Sequence, residues 1–146
     1  MRNIQYILTK FPFSCIIIAG IWVLCFMNIP DTPLSNIRLI DKWTHAVMYL
    51  ILGFSLIFEY LRANKKAKLK AFMLWVWLLP VAMGGLIEIL QEYCTSGRRS
   101  GDWLDFLADS IGSTVAFLIG ILLVRCRARA QRGSSACENY RIYGLL

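Results

Sequence analysis

Histidine occurs once in this chain, at position 45, four residues after Asp41 and four before Tyr49. An imidazole beside carboxylates titrates near neutrality and passes protons. His45 is therefore a candidate general acid or base, with Glu88 and Asp105 as the carboxylates that would exchange protons with it. The competing role for His45 is a hydrogen bond to a neighbouring helix that holds the fold together. Residues suited to a polar or charged ligand accompany these three: Asp41, Lys42, Tyr49, Gln91, Arg98, Arg99, Asp102 and Asp109. Arg98 and Arg99 stand just before a helix start, where guanidinium groups and free N–H groups together suit a phosphate or carboxylate. Salt bridges to Asp102, Glu92 or Asp41 would occupy the same two side chains without any ligand. Asp102 also suits the N-cap position of the helix that follows, with Asp105 in its first turn. His45, Glu88, Asp105 and Asp109 offer one nitrogen and several oxygens to a cation. Neither an HExxH nor a paired-histidine spacing supports that chemistry, so the sequence assigns no metal and no cofactor.

Helical spacing gathers these residues. Asp41, His45, Tyr49 and Gly53 are four apart; Pro80, Gly84 and Glu88 are four apart, with Gln91 three further on. Asp105, Asp109, Gly112, Ala116 and Gly120 recur at steps of four, three, four and four. Each set is one stripe along a helix. Small residues at such spacing let helices approach closely in lipid, and ionisable groups in membrane helices turn into the bundle. Three helices therefore surround a common polar pocket. Pro80 removes an N–H that would otherwise bond the Val76 carbonyl, which predicts a kink there.

The elements carrying these stripes are apolar. Of 146 residues, 58% are hydrophobic and 17% charged, and the mean hydropathy is +0.56, whereas soluble domains carry about 25% charged residues. Four apolar segments, at about 11–29, 45–61, 71–90 and 106–124, approach the ~20 residues needed to cross a bilayer. Pro30 and Pro33 close the first. That segment is expected to be a retained helix, because Cys25-Phe26-Met27-Asn28 lacks the small residues of a signal cleavage site. Twelve of the sixteen Lys and Arg residues fall on one side of these segments. The expected fold is thus an all-α, four-helix transmembrane bundle with both termini cytoplasmic and the polar pocket at the outer face. Residues 1–127 form this domain, and 128–146 are expected to be a flexible cytoplasmic tail. The net charge of +7 flanks apolar spans, which points to lipid rather than nucleic acid. Five scattered cysteines give neither a disulfide framework nor CxxC spacing.

Asp41-Lys42 with His45 and Tyr49, then Glu88 with Gln91, then Arg98-Arg99 with Asp102 and Asp105, and finally Gly112 resemble the motif series of the VanZ-like membrane proteins. The resemblance spans about residues 41–120. Asp109 stands where that pattern leads one to expect Asn. The resemblance implies a multi-pass protein of the bacterial cytoplasmic (inner) membrane, in a family associated with resistance to the glycopeptide teicoplanin. It implies no particular reaction, and the residues fix no nucleophile. The expected function is an outward-facing pocket that engages an anionic lipid or a lipid-linked cell-envelope precursor, thereby affecting glycopeptide susceptibility. Membrane lipids, such a precursor or a glycopeptide are the expected partners. The alternative is a non-catalytic binding or scaffold protein whose charged cluster is structural.

Overall fold

Pro12 divides the first apolar run from the residues before it. A proline disfavours the α region for its predecessor, and Phe11 accordingly takes φ −128° and ψ 47°. A short helix, α1 (Arg2–Lys10), ends there, and α2 (Pro12–Phe26) begins with the proline in its first turn, where no N–H is needed. The structure, a computed structural model, describes residues 2–27, 40–64, 68–94 and 102–143. Its remaining elements are α3 (Ile40–Ala63), α4 (Leu69–Met73), a π-helical turn (Leu74–Leu78), α5 (Leu79–Cys94) and α6 (Trp103–Tyr143). All described elements are helical. Pro30, Pro33, Arg98 and Arg99 lie outside the described residues.

Among the described residues, three stretches are long and apolar enough to cross a membrane: Ile40–Ala63, Leu69–Cys94 and Trp103–Ala130. With 15 residues, α2 reaches only about 22 Å against ~30 Å of hydrocarbon. The surface of the helices is apolar: Ile16, Val47, Phe58, Ile89, Ile111 and Leu122 are exposed. His45, Glu59, Glu88, Gln91, Asp105 and Asp109 are buried. Water would enforce the opposite distribution, while lipid tolerates this one.

The most extensive interface joins α3 to α6, and small residues make it possible. Gly112 lies against the backbone carbonyl of Ala46, Gly53 against Ala116, and Gly120 under Phe72 and Ile57. Tyr49, Leu52, Leu56, Phe72, Val76, Ile87 and Ala116 fill the core between the helices. The π-helical turn immediately precedes Pro80, where the sequence predicts a kink. An extra residue in that turn shifts the carbonyl register around the missing proline N–H, which is how helices commonly absorb a ladder defect.

Helical bounds differ from the expected spans most clearly near the two ends of the chain. Residues 128–143 are helical rather than irregular, and α6 runs for 41 residues. Arg, Ala and Gln are good helix formers, and extending an existing helix requires no new nucleus. At the other end of the chain, α2 ends at Phe26, with Met27 in an extended conformation, and the expected bound at 29 lies outside the described residues.

Candidate functional site

One end of the bundle collects the start of α3, the end of α5 and the start of α6. Asp102 organises its rim. Its Oδ1 accepts the Leu104 N–H at 2.9 Å, and its carbonyl accepts the Asp105 N–H at 2.8 Å, so it caps α6 as its residue type suggests. The Lys42 ammonium donates to Asp102 Oδ2 at 2.5 Å, lies 2.6 Å from Asp105 Oδ1 and reaches Asp41 more distantly at 4.0 Å. Lys42 thereby offsets the acidic first turn of α6. The Lys42 ammonium and the Leu104 N–H together hold the Asp102 carboxyl below the ordinary carboxylate range.

A second, fully buried layer lies beneath. His45 Nδ1 is 3.0 Å from Asp109 Oδ1. Glu88 Oε2 accepts the backbone N–H of Asp102 at 2.8 Å. The other carboxylate oxygens, Glu88 Oε1 and Asp109 Oδ2, have no hydrogen-bond partner among the described residues, and neither does the Tyr49 hydroxyl. One ligand atom from each of His45, Glu88 and Asp109 lies within 4.8 Å of the others, and the same holds for Asp41, His45 and Asp105. Gly84 leaves room for this layer: a Cβ there would sit 2.8 Å from Asp109 Oδ2 and 3.3 Å from the Tyr49 oxygen.

The sequence-derived residues divide between these layers. His45 and Glu88 come together as anticipated, but the partner hydrogen-bonded to the imidazole is Asp109, while Asp105 stands in the upper layer with Lys42. Tyr49 reaches the lower layer. Asp41 is on the exposed rim. Gln91 donates through Nε2 to the Cys25 carbonyl at 2.8 Å, tying α5 to α2. Chemically, the lower layer holds an imidazole oriented by a carboxylate, which suits proton transfer, and a mixed nitrogen and oxygen donor set.

Glu59 was not among the expected site residues, yet it is 2% exposed and occupies the opposite end of the bundle. It accepts the N–H groups of Phe13 at 2.7 Å and Ser14 at 3.2 Å, and the Ser14 hydroxyl at 2.5 Å. A carboxylate in an apolar span is itself the signal that it has such partners. Ser113, also buried, follows Asp109 by one helical turn and lies beside the Gly112 stripe.

A groove of about 430 Å³ runs between α5 and α6, lined by Gly85, Glu88, Ile89, Tyr93, Trp103 and Phe106 among others. Its walls are mostly apolar, and Glu88 joins it to the buried layer. Compared with family models, curated proteins and solved structures, the chain matches none.

Proposed function

We propose that the protein crosses a bacterial cytoplasmic membrane four times with both termini inside, and that its outer pocket engages a lipid or lipid-linked envelope component in VanZ-like fashion. The groove that leads from exposed Ile89, Tyr93 and Trp103 to Glu88 carries this reading. Its aromatic and aliphatic walls suit a hydrocarbon chain, and Tyr93 and Trp103 suit the interfacial belt. A headgroup would then meet Lys42 and the polar layers. The involvement of α2 in the four crossings is supported by its contacts: Ser14 meets Glu59 at one end of the bundle, and Cys25 meets Gln91 at the other.

The test is native mass spectrometry of the protein in mild detergent, comparing wild type with Ile89→Trp, which fills the groove from an exposed position, and with Arg99→Ala. A phosphate-bearing lipid retained by wild type and lost from Ile89→Trp supports the reading. Its retention in Arg99→Ala removes that arginine as the headgroup contact. Equal lipid profiles in all three overturn the lipid reading. They leave the scaffold reading, which the mutual pairing of Lys42, Asp102 and Asp105 favours.

A further inference from the structure

We propose that His45, Glu88 and Asp109 bind one divalent first-row transition cation, of the zinc or manganese type, between α3, α5 and α6. This goes beyond the lipid reading and does not rest on it. Three observations carry it. Ligand atoms from the three residues lie within 4.8 Å of one another. Three donors bound at about 2.0 to 2.2 Å to such a cation lie roughly 3.3 to 3.8 Å from one another, so side-chain movements of less than about 1 Å close the site.

The second observation is independent of that clustering. Glu88 Oε1, Asp109 Oδ2 and the Tyr49 hydroxyl are buried without a hydrogen-bond partner among the described residues, and their residues are 7%, 1% and 0% exposed. Buried polar atoms left this way cost free energy, and a cation satisfies both carboxylate oxygens together. The third is the shape beside Gly84, where a side chain would collide with Asp109 Oδ2. Any residue larger than glycine would crowd the carboxylate that the cation needs.

The donor set selects the ion class. Calcium requires six to eight oxygens and magnesium retains much of its water, whereas one imidazole with two carboxylates suits zinc or manganese. Two carboxylates and a neutral imidazole carry two negative charges, which a dication balances. The other grouping, Asp41 with His45 and Asp105, is the weaker candidate, since Asp41 is exposed and Asp105 is already ion-paired with Lys42.

The test uses full-length protein purified in detergent through a histidine-free tag, stripped with chelator and titrated with ZnCl2 and, separately, MnCl2 by calorimetry. Wild type is expected to bind one equivalent of at least one of the two metals. Asp109→Asn and Glu88→Gln are expected to weaken binding at least about tenfold, while Asp41→Asn leaves it unchanged. Because His45 is the only histidine, its labelled imidazole gives a second readout that needs no variant. Saturating Zn2+ should shift that resonance, and Mn2+ should broaden it. No saturable binding of either metal, or an imidazole signal unaffected by both, overturns the proposal and leaves a hydrated polar cluster. Folded Asp109→Asn and Glu88→Gln proteins that bind as wild type overturn it too. Loss in Asp41→Asn alone would assign the ion to the rim and overturn this ligand set.

Discussion

The backbone N–H of Asp102 donates to Glu88 Oε2 over 2.8 Å, so the residue that caps α6 also fixes the orientation of a buried carboxylate on α5. The Asp102 side chain meanwhile pairs with Lys42 of α3. Three helices are thus joined at one residue. A neighbour's substitution can disturb this junction through the side chain while sparing the backbone donor.

Asp102 variants separate its cap from its ion pair. Asn caps as well as Asp, so Asp102→Asn loses mainly the Lys42 interaction, whereas Asp102→Ala loses the cap as well, a further cost of about 1 kcal/mol. The sign of the pH effect follows from the lowered carboxyl pKa. A depressed folded-state pKa contributes stability above the unfolded value and loses it as pH falls through the folded one. Thermal melts in detergent should therefore show a constant gap between wild type and Asp102→Asn from about pH 7 to 5, closing below about pH 4. A gap that widens on acidification would contradict the Lys42 pairing.

Glu59 replaces a cap that α2 cannot make for itself. Phe11 offers no side-chain acceptor and Pro12 has no N–H, leaving the N–H groups of Phe13 and Ser14 to the α3 carboxylate. Hydrogen bonds to a charged group contribute about 1.5 to 3 kcal/mol. Glu59→Ala should lower stability by about that much, and Glu59→Gln by less, since an amide oxygen still accepts one donor. Melting of Glu59→Ala at the wild-type temperature would show that α2 is held by its apolar contacts alone.

Gly112 at the α3–α6 interface and Gly20 on α2 should respond unequally to alanine. A Cβ at Gly112 meets the Ala46 carbonyl, a backbone atom that cannot rotate away, while Gly20 has nothing within 4 Å. Overpacking of this kind costs about 1 to 3 kcal/mol. Gly20→Ala should instead be neutral or stabilising, because alanine favours helix by about 1 kcal/mol. Melting temperatures of the two variants in the same detergent give the comparison, and equal values would contradict close packing at Gly112.

The polar end of the bundle was legible because its information is local. Steps of three and four put His45, Tyr49, Gly84, Glu88 and Asp109 on inward stripes without reference to any tertiary contact, and the structure brings these residues together. Pairing across helices was less legible: periodicity places Asp105 and Asp109 on one stripe but does not specify which meets the imidazole. The Glu59 cap was hidden for a related reason, since donor and acceptor lie 45 or 46 residues apart. The extension of α6 through residue 143 is not legible in the hydropathy pattern, because a helix beyond the apolar core needs only propensity and an existing end to grow from.

Two native cysteines can report the direction of the bundle. Cys94 ends α5 and Cys126 follows the apolar part of α6, and both are exposed. From Trp103 to Cys126 the α6 backbone rises about 35 Å, enough to separate the two bundle ends across the hydrocarbon. In the proposed orientation, the excess of Lys and Arg beside Cys126 marks the cytoplasmic end. In single-cysteine variants with the remaining cysteines changed to Ala, a membrane-impermeant maleimide should label Cys94 in intact spheroplasts and Cys126 only after lysis. The reverse pattern would turn the His45–Glu88–Asp109 layer toward the cytoplasm and remove an outer-leaflet or envelope ligand from consideration. Equal labelling of both in intact spheroplasts would mean that α6 does not separate them across the membrane, and the four-crossing arrangement would fail with it.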